Sequence, residues 1–340
     1  MSPLPSTDET KKEGSPHSLR YVLLRLLAAL AIAGAFFAID QIWIEDDPLR
    51  DQFGASVKSY EIESEVLERT LPAKVVVPPQ APSKDRSLLV FLHGRGEDER
   101  SYLDESMFEA LADQRGRAPV VAFPFGGDSS YWHDRDSGDW ASYVLDEFIP
   151  QVVVRYDIDP DRIAIGGIAM GGYGAFNIAR LGPDRFCAVG GHSPAIWESA
   201  GEAAPGAFDD EEDFEANDVI AAAEDPTSYE GLRLWLDATD DDPFLAGNEA
   251  LEEALRESGG RPVVKRYSGG RAWDDYFQFY AHALNECKPS DPASEDSLST
   301  GGTGREAEDS PGVTFSPPSD KSSPRNPEAP RDYASGAEQP

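Results

Sequence analysis

The chain has 340 residues, with 30 Lys or Arg, 63 Asp or Glu and a formal net charge of -33 at pH 7. This length is enough for one large domain or two ordinary ones. The charge argues strongly against nucleic acid as a partner, because phosphates would repel the protein. The acidic excess runs through the middle of the chain. It suits a well-hydrated surface or a high-salt environment, and a general acidic bias of the genome explains it equally well.

The N-terminal segment has the pattern of a membrane anchor. Residues 1–20 are polar and include Lys11, Lys12 and Arg20, and residues 21–44 hold an apolar run interrupted near its start by Arg25. About 20 apolar residues span a bilayer. Basic residues precede the run and acidic residues follow it, which predicts a short cytoplasmic N-terminus and an extracytoplasmic domain. A cleaved signal peptide is the alternative, since Ala33-Gly34-Ala35 resembles a cleavage site. Both interpretations export the domain.

Strand and helix patterns alternate over residues 57–286, after a linker at 45–56. Residues 57–77 predict two antiparallel edge strands. Buried parallel strands are predicted at 88–92, 120–124, 163–165, 188–190, 232–236 and 263–267, and helices at 143–154, 173–180, 251–255 and 276–284. The alternation predicts an α/β fold, with a mostly parallel, doubly wound sheet and helices on both faces.

Two segments depart from this alternation. Residues 200–225 are acidic and rich in small residues, and they predict an insertion over the strand ends. Residues 287–340 are rich in Pro, Ser, Gly and acidic residues, which predicts a disordered tail. The chain has two cysteines, Cys187 and Cys287. Their pairing stays open, because nothing in their spacing requires a disulfide.

Residues 162–176 predict a short strand, a tight glycine turn and the start of a helix. This is the layout of the G-x-S-x-G nucleophile elbow. Gly167 and Gly171 flank the centre of the turn, where a larger residue would clash. The centre itself is Ala169. The protein therefore has no serine at the elbow that could act as a nucleophile.

Five segments in this order resemble the Putative esterase family of α/β-hydrolases, which includes esterase-D-like enzymes, feruloyl esterases and bacterial mycolyltransferases. The matching segments are 92–98, 130–134, 165–176, 191–194 and 240–244. The resemblance covers about residues 57–286 and implies the α/β-hydrolase fold. Family members are serine hydrolases or acyltransferases.

The resemblance also implies where a catalytic triad would lie. It puts the nucleophile at Ala169, the acid at Asp242 and the histidine at Arg271, within Gly269-Gly270-Arg271-Ala272-Trp273. The segment between Trp273 and the last helix looks shortened. Arginine stays protonated and cannot act as a general base. An acidic loop remains an equal interpretation for Asp242, because it follows two further aspartates.

In this fold, backbone N–H groups form the oxyanion hole. The donors would be Met170, just after the elbow, and Arg95, in the loop after the third strand. His93, His133 and His192 are expected to line the pocket. Residue spacing indicates no metal site, and we expect no cofactor.

Arginines near the pocket leave two interpretations open. Arg95, Arg135 and Arg271 would attract a small anionic or ester-like ligand. Alternatively, Arg271 pairs with Asp242 in place of the lost His–Asp contact. Ser193 fits a turn or cap residue.

Together these features predict a membrane-anchored, extracytoplasmic α/β-hydrolase-fold protein that has lost serine-hydrolase activity. Its role would be binding, scaffolding or assistance in cell-envelope chemistry, and the sequence identifies no protein partner. The alternative is an active carboxylic-ester hydrolase or acyltransferase with a non-standard mechanism. A purely structural envelope protein is the third interpretation.

Overall fold

A computed structural model of the chain describes residues 53–270 and 272–287. The predicted anchor at 21–44, most of the linker, Arg271 and the tail beyond Cys287 lie outside the described residues. None of the helices in the described part is both long and apolar enough to cross a membrane.

The main sheet has eight strands in the order β1-β2-β4-β3-β7-β8-β9-β10. β1 pairs antiparallel with β2, and β2 pairs antiparallel with β4. The other neighbours are parallel. The strands are β1 Ser56–Ser64, β2 Arg69–Val77, β3 Arg86–Leu92, β4 Val120–Pro124, β7 Ile158–Ile168, β8 Ala188–His192, β9 Arg233–Thr239 and β10 Val263–Tyr267, while β5 Asp134–Arg135 and β6 Gly138–Asp139 form a separate hairpin. This confirms the mostly parallel sheet with an antiparallel edge.

Helices connect the parallel strands. They are α1 Glu105–Asp113, α2 Trp140–Ser142, α3 Ile149–Tyr156, α4 Met170–Leu181, α5 Glu211–Ala216, α6 Val219–Ala223, α7 Leu245–Glu257 and α8 Trp273–Glu286, with a π-helical segment, Tyr143–Phe148, between α2 and α3. The predicted insertion contains α5 and α6, whose first turns are capped by Asp210 and Asp218.

Each face of the sheet carries its own apolar layer. Successive side chains of a strand point to opposite faces. In β3, Leu88, Val90 and Leu92 therefore join one layer, while Leu89 and Phe91 join the other. The first layer includes α3, α4 and α7, and the second includes α1 and α8. Helices thus cover both faces, as the alternating pattern predicts.

A disulfide joins Cys187 to Cys287, with 5.7 Å between the Cα atoms. Cys187 directly precedes β8, and Cys287 directly follows α8. The bond settles the pairing that the sequence leaves open. It fastens the carboxyl end of the last described helix to the start of a central strand.

Candidate active site

Ala169 occupies the turn between β7 and α4, with φ 51° and ψ -112°. A positive φ is unfavourable for a residue with a side chain, so this turn is strained. Backbone hydrogen bonds hold it in place. The Ala169 N–H donates to His192 O at 3.0 Å, and Ala169 O accepts from Tyr173 N at 3.0 Å and Ala195 N at 2.9 Å. The elbow therefore keeps its conformation without a serine.

The glycines of the elbow allow close backbone contact. A Cβ on Gly171 would lie 2.0 Å from Leu92 O, and one on Gly167 would lie 2.5 Å from Gly171 O. Real Cβ atoms do not approach backbone so closely, so both positions require glycine. The turn therefore packs closely against the end of β3.

The loop after β3 lies beside the elbow. A Cβ on Gly94 would lie 3.5 Å from Ile168 O. Met170 is the first residue of α4, where backbone N–H groups have no partner within the helix. Arg95 follows Gly94 directly. The structure thus brings the segments of Arg95 and Met170 together, while their role as oxyanion donors stays a prediction.

Asp242 lies in the loop after β9, and its side chain is buried, whereas Asp240 and Asp241 are exposed. The hydroxyl of Ser193 donates to Asp242 Oδ2, and the N–H of Phe244 donates to Oδ1 at 2.8 Å. Its burial and its partners distinguish Asp242 from a merely acidic loop. The carboxylate therefore has two donors among the described residues.

Sequence reasoning treated Ser193 as a turn residue and missed its contact with the acid position. Ser193 directly follows β8 and has a φ of 50°. Its N–H donates to Asp237 O at 2.8 Å. Parallel strands β8 and β9 end side by side, so residues just after them meet. That adjacency was the available signal.

The connection between β10 and α8 is short. Arg271 lies outside the described residues, so its predicted pairing with Asp242 stays a prediction. Gly269 and Gly270 have φ values of 135° and 78°. Trp273 is already the first residue of α8, and its ring packs 5.3 Å from that of Phe91. This agrees with the shortening expected from the sequence.

His93 is buried directly after β3. Its Nε2 accepts from Gly126 N at 2.9 Å, and its Nδ1 lies 2.9 Å from Gly94 O. This pattern fits a neutral ring that carries its proton on Nδ1. Burial lowers the pKa of His93, which favours the same neutral form. The ring joins the loop after β3 to the segment after β4.

His133 is also buried, with Nε2 3.1 Å from Asp213 Oδ2 and its ring stacked on Phe208 at 5.2 Å. Burial lowers the pKa of His133, and the nearby Asp213 opposes that effect. Asp213 and Phe208 belong to the insertion. His133 therefore connects the insertion to the domain.

His192 belongs to a buried polar network on the face of the sheet that α8 covers. Its Nδ1 lies 2.6 Å from Asp237 Oδ2, and its Nε2 lies 3.0 Å from the Tyr280 hydroxyl. Asp237 also accepts from Trp235 Nε1 at 2.6 Å and from the Tyr276 hydroxyl at 3.2 Å. This network fastens α8 to the strands. This network is not among the features expected from the sequence, although a polar Asp237 directly after the apolar run at 232–236 is a signal for it.

From their positions in the sequence, we expect His93, His133 and His192 to line a pocket. The structure instead places their rings in the interior, each about 1% exposed or less. Each ring contacts protein atoms, so none is open to a ligand in this conformation.

Arg135 also has a structural role here. Its Nε donates to Asp209 Oδ1 at 3.0 Å, and its Nη1 donates to Ala207 O at 2.9 Å. The hydrogen bond from Arg135 lowers the pKa of Asp209. Arg135 thus binds the insertion and is not available to an anionic ligand.

Within residues 53–270 and 272–287, no group of three or more His, Cys, Asp or Glu could hold a metal ion.

Comparisons with known proteins agree with this geometry. The family model described as Putative esterase matches residues 64–286, about two thirds of the chain. S-formylglutathione hydrolase of Mus musculus is 25% identical over 257 residues, covering 66% of this chain and 90% of that protein. The MPT51 antigen of Mycobacterium leprae is 30% identical over 94 residues, covering 27% of this chain and 31% of that protein.

Solved structures share the fold. An S-formylglutathione hydrolase from Agrobacterium tumefaciens has a TM-score of 0.58 and 19% identity, covering 68% of this chain and 96% of its own. MPT51 of Mycobacterium tuberculosis has a TM-score of 0.56 and 16% identity, covering 68% and 99%. The chain therefore belongs to the Putative esterase family and has the α/β-hydrolase fold.

Proposed function

We propose that this chain is a non-catalytic member of its family that serves a binding role. The observation that carries the proposal is Ala169 at the centre of an otherwise complete elbow. Ester cleavage by this fold needs a nucleophile that the elbow holds over the strand ends. A methyl group has no lone pair to attack a carbonyl carbon, so the strained turn carries no reaction.

The missing base supports the same proposal. Arginine at position 271 stays protonated and cannot take a proton. The rings of His93 and His192 are buried, and protein atoms contact both nitrogens of each. Neither ring is available to serve as the base.

The ligand proposed for the elbow region is a small anionic or ester-like molecule. The backbone N–H groups of Arg95 and Met170 would orient a carbonyl or carboxylate oxygen there. An oxyanion site that lacks a nucleophile can bind an ester without cleaving it. The physiological role would be binding or assistance in envelope chemistry.

Hydrolysis of short p-nitrophenyl esters tests the loss of activity. Purified wild-type protein should show no more than weak acceleration, on the order of 10³-fold over water, from the oxyanion hole alone. The double variant Ala169→Ser/Arg271→His supplies both missing groups and should exceed the wild type. Turnover by the wild type at the level of a working esterase would overturn the proposal.

An active ester hydrolase with a non-standard mechanism is the alternative. The hydrogen bond from Ser193 to Asp242 favours it, because a carboxylate beside a hydroxyl can accept its proton. Ser193→Ala separates the two proposals. Wild-type turnover that this variant abolishes would establish the alternative, and the same background rate in both proteins supports the non-catalytic assignment.

We also propose that the domain is exported and membrane-anchored by residues 21–44. The Cys187–Cys287 disulfide supports export, because such bonds persist mainly in oxidising compartments. After a high-salt wash the protein should stay with the membrane fraction, and external protease should reach the domain in intact cells. A soluble product that begins near Phe36 would support signal-peptide cleavage instead.

A further inference from the structure

A cavity of about 350 Å³ lies between the edge of the sheet and α8. Its wall contains Trp235 of β9, Val263 of β10, and Phe279 and Ala283 of α8. Trp235 is buried, while Val263 keeps 42% of its surface exposed. A cavity of this size and apolar lining is in the range of small-molecule sites.

The position of α8 explains the cavity. A Cβ on Gly166 or Gly190 would lie about 2 Å from the Tyr280 hydroxyl, so α8 sits directly over β7 and β8. β10 lies two strands beyond β8. Two strand spacings are about 10 Å, close to the full diameter of a helix. One helix therefore covers the centre of the sheet and leaves the inner face of β10 partly open.

Cationic side chains border this opening. Arg261, Lys265, Arg233 and His282 all line the cavity. Arg233 pairs with Glu286 at 2.6 Å, and His282 lies 3.4 Å from the same carboxylate oxygen. Arg261 and Lys265 are exposed. Within the described part of the chain, neither side chain has a hydrogen-bond or ion-pair partner.

The carboxylates near the cavity are already engaged. Asp275 accepts a hydrogen bond from the Tyr267 hydroxyl at 2.7 Å, and Glu286 is held by Arg233. Two unpaired cations thus adjoin an apolar wall in a chain whose net charge is -33. An exposed cationic patch on so acidic a protein complements a negative group.

The geometry points to a binding site for a small organic anion with an apolar body, such as an aromatic carboxylate. The ring of the ligand would lie against Trp235 and Phe279. Its carboxylate would face Arg261 and Lys265, which supply charge-assisted hydrogen bonds. Neutral molecules of the same shape gain only the apolar contact.

This site is separate from the elbow. Arg233 begins β9 and Val263 begins β10, so the cavity lies at the amino ends of these strands. The elbow lies at the carboxyl end of the parallel sheet. The inference therefore stands whether or not the elbow is catalytic.

Equilibrium dialysis of the full-length protein measures the binding of 2-naphthoate. The uncharged 2-naphthamide, which has the same ring system, is measured in parallel, and dialysis of the buffer without protein gives the background. We expect naphthoate to bind at least about tenfold more tightly than the amide and to weaken with added salt. Arg261→Glu/Lys265→Glu should lower the naphthoate affinity at least about tenfold. Lys58→Glu/Lys84→Glu, which changes the charge equally at two residues that do not line the cavity, should leave the affinity unchanged.

A filling variant locates the ligand independently of charge. Val263→Trp places a large ring at the opening of the cavity and should abolish naphthoate binding. Circular dichroism verifies that each variant is folded, and Arg261→Gln/Lys265→Gln replaces the charge reversal if that variant unfolds. Equal binding of naphthoate and naphthamide, or wild-type affinity in the folded Arg261/Lys265 variant, would overturn the assignment.

Discussion

Two turns at the carboxyl edge of the sheet differ in how closely the surrounding backbone packs against them. The turn from β7 to α4 keeps every backbone feature of a nucleophile elbow around Ala169. The connection from β10 to α8 is short, with Trp273 already inside the helix. The family resemblance implies a nucleophile in the first turn and a histidine in the second, where this chain has Ala169 and Arg271. Only the first turn has the strained conformation of an elbow.

Packing explains the difference. The elbow is the contact between β3, β7 and α4, and its glycines touch backbone atoms of Leu92. Changing that turn would disturb the centre of the sheet. The β10 connection lies at the edge strand, where β10 is largely exposed. Packing of the sheet therefore accounts for the shape of the elbow, whether or not the turn carries a catalytic side chain.

The largest expected effect concerns the covalent link that holds α8. Cys187→Ser/Cys287→Ser should lower the free energy of unfolding by about 4 kcal/mol, because the bond closes a loop with a sequence separation of 100. Urea unfolding measures the change, and wild-type protein in reductant should behave like the variant. A loss below about 1 kcal/mol would show that packing alone holds α8.

A substitution in the elbow should lower the free energy of unfolding nearly as much as loss of the disulfide. Gly171→Ala places a Cβ 2.0 Å from Leu92 O, and relief requires backbone movement. We expect a loss of about 3 kcal/mol in the free energy of unfolding. Gly116→Ala is the matched control, since its Cβ would meet no atom within 4 Å. Similar losses in both variants would mean that packing does not enforce the elbow.

The contact between Ser193 and Asp242 should contribute less. Ser193→Ala and Asp242→Asn should each lower the free energy of unfolding by about 1–2 kcal/mol. The double variant should lose less than the sum of the two, because both changes disrupt the same hydrogen bond. Urea unfolding of the four proteins gives the coupling energy. If the two losses in the free energy of unfolding are strictly additive, the contact contributes nothing. The same double-mutant cycle with Arg271→Ala and Asp242→Asn tests the predicted ion pair.

The smallest effect is a dependence of stability on pH. Burial lowers the pKa of His93 and His133 below the ordinary 6.5. The unfolded chain then binds protons that the folded protein does not, so stability is complete above pH 6.5 and falls below it. The loss is at most about 1.4 kcal/mol per pH unit for each histidine.

Unfolding measured at about pH 7.5 and about pH 5.5 tests this dependence. His133→Gln should reduce the loss on acidification, because it removes a group whose pKa is lowered by burial. An equal loss in wild type and His133→Gln would contradict the assignment to His133.

The sequence predicts the strands well because apolar and β-branched runs mark them directly. The predicted bounds at 120–124 and 263–267 equal those of β4 and β10. Helix α1 is missed, although Met107, Phe108 and Leu111 are buried on one side of it. A nine-residue helix repeats its apolar spacing too few times to stand out.

The sequence predicts where the candidate residues lie in the fold, and it does not predict the direction of the His192 side chain. The sequence locates Ala169 and Asp242, because motif spacing fixes where a turn lies along the chain. It places His192 beyond a strand predicted at 188–190, but β8 continues to His192. Strand alternation then directs this ring to the α8 face and Asp237. Such side-chain directions depend on where a strand ends, which local sequence fixes poorly.

Labelling with a serine-directed fluorophosphonate tests whether the domain has an activated serine, whatever its substrate. We expect no labelled peptide from wild-type protein, and labelling at position 169 in the folded Ala169→Ser/Arg271→His variant. Mass spectrometry identifies the modified residue. Stoichiometric labelling of the wild-type protein would contradict the proposal that the domain is non-catalytic. This holds whether the label is on Ser193 or on any other serine of the domain.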